Sequence, residues 1–335
     1  MTESSHFHRG HRQPDVAVVG AGAVGSFFGG LLAKAGYAVT LIGREAHVRA
    51  VTGQGLRITM ADGHEHLLTD IQASVDPSHI SGARLVLLTV KSYDTELVAE
   101  QIAPFLHPQA VVLSMQNGVD NPERLQRVLE ARGLNGVLVV PTAVYVATAL
   151  SEPGHVTHHG RGELVIGPLQ AGESGEPSAV ERLSEVQSAF AKAGVVVEIS
   201  ESVMAELWGK LVVNCAYNAV SALSQMPYGQ IVAVPAMRDL MDAAVREVVA
   251  VAQADGIGLT LKAARAATEK IGQTMAGQRS STAQDVARAK PTEIEHLNGL
   301  IVRRGQALGI ATPANLALYA LIKLLETRKP GASHD

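Results

Sequence analysis

The sequence predicts an α/β fold, in which a Rossmann domain with a doubly wound, mainly parallel sheet precedes an all-α C-terminal domain. Up to about residue 199, short apolar runs alternate with helical patterns, which implies a parallel sheet covered by helices on both faces. After residue 200 the strand patterns end and long helical periods follow. We therefore expect a disordered tail over residues 1–13, the Rossmann domain over residues 14–199 and the helical domain over residues 200–330.

The elements of the first domain are predicted from apolar runs and the turns that flank them. The runs at residues 84–90 and 110–115 are apolar without alternation, which is typical of strands buried on both faces. Residues 56–69 indicate a hairpin that turns at residues 61–63. Further strands are expected at residues 15–20, 38–42, 136–146, 163–166 and 195–200, and helices at residues 23–35 and 178–193.

Helical periods define the second domain, and glycines and prolines separate them. Pro291 and Pro313 stand where helices are expected to start, since proline suits the first helical turn. The helices are predicted at residues 203–224, 235–254, 260–276, 282–288, 291–308 and 313–327.

Composition and charge exclude several classes of protein. The single cysteine, Cys215, cannot form an internal disulfide or a multi-cysteine zinc site, and it suits a reducing cytoplasm. The net charge of −4 and the absence of a basic run argue against a nucleic-acid partner. No membrane span and no secretory signal are expected, because long apolar stretches are missing. The histidines of the tail, at positions 6, 8 and 11, are not expected to bind a metal.

A GxGxxG motif lies between the first predicted strand and the first predicted helix. The first glycine permits a tight turn, the second lets the backbone approach a pyrophosphate, and the third allows close packing of helix on strand. The helix N-terminus attracts the anion. The predicted dinucleotide site therefore comprises Gly20, Ala21, Gly22, Ala23, Val24 and Gly25.

The end of the second strand decides between NAD and NADP. Arg44 follows this strand, and its forked guanidinium suits the 2′-phosphate of NADP. Glu45 comes next and would be the ribose-binding acid of an NAD site if the strand ran one residue longer. We expect NADP.

Polar residues follow two later strands. Lys91 and Asn117 come directly after apolar runs, and ligands of open α/β sheets bind at the carboxyl ends of strands. Both residues are therefore candidates for contacts to the cofactor ribose or the substrate. Solvated turn residues explain the two positions equally well.

A narrow polar stripe crosses an otherwise apolar helix at residues 208–223. Lys210, Asn214 and Asn218 are spaced at i, i+4 and i+8, so they drift by only about 80° around the helix. A surface helix normally shows a wider face with more charges. The stripe therefore indicates a buried helix whose polar residues face a cleft, where a lysine needs partners or a chemical role.

A second polar cluster, residues 280–295, allows two interpretations. Ser281 with Gln284 resembles a capping box, and Pro291 with Glu293 suits a first helical turn. The same residue types also suit a ligand site. Spacing alone favours capping.

Taken together, these segments resemble the ketopantoate reductase (2-dehydropantoate 2-reductase) family of the 6-phosphogluconate-dehydrogenase-like superfamily. The matching segments run in family order: GAGAVG at 20–25, VKSYD at 90–94, QNG at 116–118, PGHVTHHGRGELVIG at 153–167, WGKLVVNCAYN at 208–218 and SSTAQDVARAKPTEIEHLNG at 280–299. The resemblance implies a cytoplasmic oxidoreductase in which NADPH reduces ketopantoate to pantoate, for pantothenate and coenzyme A synthesis. Its active site would lie between the two domains.

The resemblance also implies roles for single residues. Lys210 matches the catalytic lysine and Glu293 its paired glutamate. Three asparagines match substrate contacts, and one serine matches the carboxylate-binding residue: Asn117, Asn214, Asn218 and Ser281. Arg44 matches the 2′-phosphate arginine, and we expect Lys91, Asn117 and Glu293 to contact the cofactor. No metal is implied.

These roles lead to a mechanistic hypothesis. Hydride passes to the carbonyl carbon while Lys210 protonates the developing alkoxide, and Glu293 orients Lys210 and the bound hydroxyl. Two alternatives stay open: a reductase of another 2-oxo or 3-oxo acid on the same scaffold, such as a 3-hydroxyacid dehydrogenase, and a non-catalytic NADP-sensing protein. The joint presence of Lys210, Asn214, Asn218 and Glu293 disfavours the latter.

One position departs from the family pattern. A turn after the catalytic helix, in which the family often carries a substrate-contacting asparagine, reads Pro227-Tyr228-Gly229 here. The bulkier Tyr228 leaves the exact 2-oxo acid open. The apolar helical domain would also suit a homodimer interface.

Overall fold

The structure is a computed structural model that describes residues 13–169 and 177–327. A disordered tail was expected over residues 1–13. Residues 1–12, with the three histidines, lie outside the described residues, and Gln13 is the one residue of the tail that is described.

A ten-stranded, mostly parallel sheet forms the N-terminal part, in the order β4-β3-β9-β8-β7-β6-β1-β2-β5, with β10 paired to β9. Among the strands of the described residues, the pairs β3–β4 and β8–β9 are antiparallel and the others are parallel. The strands are β1 (Val16–Val19), β2 (Val39–Ile42), β3 (Leu56–Thr59), β4 (Glu65–Leu68), β5 (Gln72–Ser74), β6 (Leu85–Leu88), β7 (Val111–Ser114), β8 (Leu138–Glu152), β9 (His155–Ile166) and β10 (Val197–Ile199).

Helices cover both faces of this sheet, as the apolar runs predict. All residues of β1, β6 and β7 are buried, because one face packs on α1 and α5 and the other on α3 and α4. The helices of this part are α1 (Ala23–Lys34), α2 (Glu45–Gln54), α3 (Thr95–Ile102), α4 (Asn121–Ala131) and α5 (Pro177–Lys192). The predicted doubly wound fold is confirmed.

After β10, the described chain is helical. The helices are α6 (Val203–Ser224), α7 (Tyr228–Val232), α8 (Pro235–Ala254), α9 (Leu261–Thr274), α10 (Ser281–Ala287), α11 (Asn298–Leu308) and α12 (Pro313–Glu326). The core of this part surrounds α6, whose Trp208 and Tyr217 are almost fully buried. Among the described residues, no helix is long and apolar enough to cross a membrane.

Two predicted elements differ from the structure. The strands expected at residues 136–146 and 163–166 are the inner parts of a much longer hairpin, β8–β9, whose outer half is rich in Thr, His and Gly and therefore carries little strand signal. The helix expected from Pro291 begins only at Asn298, after a short 3₁₀ turn over Ile294–His296. The residues before this turn are not helical, and Glu293 among them accepts a hydrogen bond from Ser92, which follows β6.

His47 connects α1, the helix that follows the GxGxxG motif, to the β8–β9 hairpin. Its Nε2 lies 3.1 Å from Ser26 Oγ, and its Nδ1 accepts from the backbone nitrogen of Gly154 at 3.0 Å. The ring is 4% exposed, and burial lowers its pKa. Since Nδ1 must accept, the folded protein holds His47 in its neutral form.

Replacing His47 should make stability less dependent on pH. Because folding lowers the pKa of His47, its contribution to the free energy of unfolding is complete above about pH 6.5 and is lost as the pH falls below that value. We expect the melting temperature of the wild type to drop more between about pH 7.5 and about pH 5.5 than that of His47→Asn, which keeps an acceptor without titrating. Equal drops in a thermal melt series would contradict this assignment.

Candidate active site

The loop between β1 and α1 gives each motif glycine a different environment. Gly20 has a φ of +98°, and a Cβ there would lie 2.6 Å from the backbone nitrogen of Val90. A Cβ on Gly25 would lie 2.4 Å from Thr89 Oγ1, so only glycine lets α1 pack this closely on the sheet. A Cβ on Gly22 would meet only the oxygen of Gly20, at 3.9 Å. The side of Gly22 is thus the open side of the loop.

The start of α1 fits an anion. Its N-cap is Gly22, which has no side chain to accept from the first N–H groups of the helix. These donors and the positive end of the helix dipole lie on the open side of the loop. The residues present therefore fit the pyrophosphate of a dinucleotide.

The second strand ends before Arg44 and Glu45, the two residues that were considered for the choice between NADP and NAD. β2 ends at Ile42, and Arg44 is the exposed N-cap of α2. Glu45 is already helical and pairs with Arg49 one turn later. The longer strand that an acidic ribose contact requires is therefore not formed.

A buried carboxylate, that of Glu293, joins the residues that follow β6 and β7. Its Oε1 accepts from the backbone nitrogen of Ser92 at 2.9 Å and lies 3.0 Å from Ser92 Oγ. Its Oε2 lies 3.2 Å from Lys91 Nζ and 3.5 Å from Asn117 Nδ2. Burial alone raises the pKa of Glu293, but the charge of Lys91 and the bonds from Ser92 hold it below its usual range. Glu293 is therefore ionised and does not cap a helix.

Lys91 contacts a second carboxylate. Its Nζ lies 2.9 Å from Asp285 Oδ2, besides the contact with Glu293. Burial lowers the pKa of Lys91, but the two carboxylates raise it more, so that the lysine stays charged. Ser92 and Asp285 were not singled out by spacing, because 201 and 194 residues separate the partners along the chain. Only their place inside the VKSYD and SSTAQDV segments marks them.

Lys210 has a different environment on α6. Its Nζ donates to the backbone oxygen of Val144 on β8 at 2.8 Å. Burial lowers the pKa of Lys210 to about 8, the charge of Glu293 opposes this shift, and the charge of Arg161 adds to it. Within the described residues Glu293 makes no hydrogen bond to Lys210, contrary to the expected direct pairing, since its oxygens are held by Lys91, Ser92 and Asn117. Glu293 acts on Lys210 through its charge.

The polar stripe continues along α6. Asn214 is half-buried and Asn218 is 3% exposed. Within residues 13–169 and 177–327, neither side-chain amide has a hydrogen-bond partner. Their amide groups keep some contact with solvent, so both are free to bond a polar ligand.

Ser281 lies beside this stripe, but it is not the helix cap that the sequence predicts. Ser280 is the N-cap of α10: its Oγ accepts from the nitrogen of Ala283 at 3.0 Å and donates to the oxygen of Asn218 at 3.2 Å. Ser281 is therefore the first helical residue and is exposed. Its hydroxyl stays available to a ligand near Asn218.

Tyr228 belongs to the apolar core of the helical part. It is 8% exposed, and its ring lies 4.6 Å from that of Tyr217. Burial raises the pKa of its hydroxyl. A neutral aromatic side chain thus stands where the resemblance leads one to expect an amide.

Comparison with known proteins identifies the family. The description "Ketopantoate reductase PanE/ApbA" matches residues 16–171, and its C-terminal counterpart matches residues 202–326. A 2-dehydropantoate 2-reductase of Halobacterium salinarum is 34% identical, covering 93% of this chain and 98% of its own. One from Pyrococcus horikoshii is 32% identical, covering 95% and 99%.

Solved structures agree with these relatives. A PanE/ApbA family ketopantoate reductase from Ralstonia eutropha is 47% identical, with a TM-score of 0.84 and coverage of 93% of this chain and 98% of that one. A 2-dehydropantoate 2-reductase from Geobacter metallireducens is 27% identical, with a TM-score of 0.83 and coverage of 92% and 99%.

Two alanine substitutions in the glycine loop should affect different properties, one the stability of the fold and the other the binding of the dinucleotide. Gly25→Ala forces a Cβ into Thr89 and should lower the free energy of unfolding by about 1–3 kcal/mol. Gly22→Ala meets no such clash and should leave the melting temperature unchanged, while its methyl group obstructs the open side and weakens dinucleotide binding. Thermal melts and fluorescence titration with NADPH measure both effects. Equal melting temperatures for the two variants would refute the packing role of Gly25.

Proposed function

The chain belongs to the ketopantoate reductase family, and from this premise we propose that it reduces 2-dehydropantoate (ketopantoate) to pantoate with NADPH, as a step of pantothenate biosynthesis. The observation that carries the proposal is the grouping of an ionised Glu293, with Lys91 and Asn117, at the strand ends beside the GxGxxG loop, within electrostatic reach of Lys210. This grouping places a proton donor near a dinucleotide-binding loop. A protein that only senses the dinucleotide needs the loop but not the donor.

Lys210 is the proton donor of the proposed reaction. A bound nicotinamide supplies the hydride for the carbonyl carbon. The ammonium of Lys210 polarises the carbonyl oxygen and then protonates the alkoxide that develops there. A pKa of about 8 suits this task, because the group is charged at neutral pH yet releases its proton readily.

The other site residues bind and orient. Asn214 and Asn218 offer amides on the face of α6 that carries Lys210, and we assign them to the hydroxyl and carbonyl groups of the substrate. Ser281 is assigned to the carboxylate. Glu293 keeps Lys91 and Asn117 in place beside the cofactor loop and favours the charged form of Lys210.

NADP is favoured over NAD by the end of β2. Arg44 is exposed at this position, and its guanidinium is suited to a 2′-phosphate by charge and by its forked donors. Glu45, the alternative ribose ligand, is engaged by Arg49.

Tyr228 favours a second candidate, NADP-dependent reduction of a different 2-oxo acid. Its buried ring replaces a polar side chain that the family often carries. NADPH consumption with ketopantoate, with simple 2-oxo and with 3-oxo acids, and with NADH as the control cofactor, separates the candidates. Faster turnover of another acid would replace ketopantoate as the substrate.

Removing Lys210 should abolish most of the turnover. We expect Lys210→Ala to lower kcat on the order of a hundredfold or more, with little change in NADPH binding. Since the donor must be protonated, kcat/KM of the wild type should be level below about pH 8 and fall above it, by about tenfold per pH unit. Lys262→Ala, an exposed position on α9, is the matched control. Near-normal turnover of Lys210→Ala would refute the assignment.

Removing Arg44 should change cofactor choice. We expect Arg44→Ala to raise KM for NADPH by about tenfold or more and to leave KM for NADH nearly unchanged, because only NADPH carries the 2′-phosphate. Arg57→Ala removes an exposed positive charge from β3 and serves as control. The same change with both cofactors would show that Arg44 does not read the phosphate.

A further inference from the structure

The β8–β9 hairpin contains a strained segment that the proposed mechanism does not use. Arg161 has a φ of +61°, in the left-handed region, and stands between Gly160 and Gly162, whose φ values are +132° and +147°. An arginine in this conformation costs energy, and such positions cluster at functional sites. The strained backbone at Arg161 therefore indicates a functional role for this residue.

Two irregularities of strand pairing flank the same residue. Tyr145 pairs with Glu163 and Val146 with Arg161, so that Gly162 is an extra residue on β9. Ala147 then pairs with Gly160 and Thr148 with His158, so that His159 is a second extra residue. β-Bulges of this kind redirect side chains and are frequent beside active sites. The two bulges set the direction of the Arg161 side chain.

The guanidinium of Arg161 is held on one side and open on the other. Its Cζ lies 4.6 Å above the centre of the Tyr145 ring, and its Nε lies 3.3 Å from Glu163 Oε2. Half of the side chain is exposed. Within residues 13–169 and 177–327, the two terminal nitrogens have no acceptor, so that a fork suited to a carboxylate is presented.

This fork lies close to the proposed proton donor. Lys210 donates to Val144 on β8, two residues before the Val146 that pairs with Arg161. The charge of Arg161 is near enough to lower the pKa of Lys210. The acidic groups around them are Glu163, paired to Arg161, Glu206, which accepts from the hydroxyl of Tyr145 at 3.2 Å, Glu198, whose charge acts on Tyr145, and Glu293, whose charge acts on Lys210. Arg161, stacked on Tyr145, and Lys210, bonded to Val144, therefore both lie where the hairpin meets α6.

We propose that Arg161 binds the carboxylate of the 2-oxo acid beside Lys210 and so selects anionic substrates. The inference rests on the proposed function, since it takes Lys210 as the group at the carbonyl oxygen. Arg161 supplies the charge for the carboxylate, and Ser281 supplies a neutral hydrogen bond. The strained backbone and the two bulges are the structural requirement for bringing a guanidinium to this position.

The test compares a 2-oxo acid, ketopantoate, with its neutral methyl ester in the full-length protein at about pH 7, where Lys210 is mostly protonated. Arg161→Asn removes the charge and tolerates the left-handed backbone. Arg161→Lys keeps the charge without the fork, and Arg57→Asn removes an exposed charge from the neighbouring strand β3 as control. The readout is the ratio of kcat/KM for acid over ester, in which effects on proton donation cancel, together with the melting temperature.

We expect Arg161→Asn to lower the acid-to-ester ratio by about tenfold, mainly through KM for the acid, with Arg161→Lys in between and Arg57→Asn unchanged. A wild-type ratio in Arg161→Asn, with ketopantoate still reduced by the wild type, overturns the role of Arg161 alone. Equal losses for acid and ester with a lower melting temperature also overturn it, because they show a structural role. A wild type that reduces no 2-oxo acid overturns the proposed function and this inference together.

Discussion

The buried carboxylate of Glu293 is the contact on which the geometry of the site depends. An ionised carboxylate with 5% exposure is tolerated only when charges and donors surround it, and Lys91, Ser92 and Asn117 provide them. These three residues follow β6 and β7, whereas Glu293 belongs to the helical part of the chain. The penalty for separating them therefore keeps the helical part against the strand ends. Removing one partner of such a pair leaves the other buried and uncompensated.

Lys91 and Lys210 differ in pKa because their surroundings differ, and this gives them different chemical roles. Lys91 contacts Asp285 and Glu293, which raise its pKa despite burial, so it is a permanent cation. Among the described residues, Lys210 hydrogen-bonds only to a backbone oxygen, and burial lowers its pKa to about 8. The first keeps Glu293 ionised, and the second is able to exchange its proton near neutral pH. The same residue type thus serves as a structural charge at one place and as the proposed proton donor at the other.

The failures of sequence-based prediction share one physical origin. The outer half of the β8–β9 hairpin was missed because its Thr, His and Gly residues form a strand only by pairing with each other. Pro291 suggested a helix start, yet the chain is not helical before Ile294, and Glu293 bonds Ser92. Ser281 was expected to cap α10, but Ser280 does so because its hydroxyl also reaches Asn218. Each outcome depends on a partner distant in the chain.

Local sequence patterns were enough to predict the doubly wound sheet, the all-helical part that follows, the glycine loop and the stripe of Lys210, Asn214 and Asn218. These features are written in local periodicity and in motifs whose residues are neighbours along the chain. Folding brings Glu293 to Lys91 and Ser92 rather than to Lys210, adds Asp285 to Lys91, and places Arg161 within electrostatic reach of Lys210. Such relations depend on which distant residues folding brings together, because burial and charge act through space and leave no mark on local spacing.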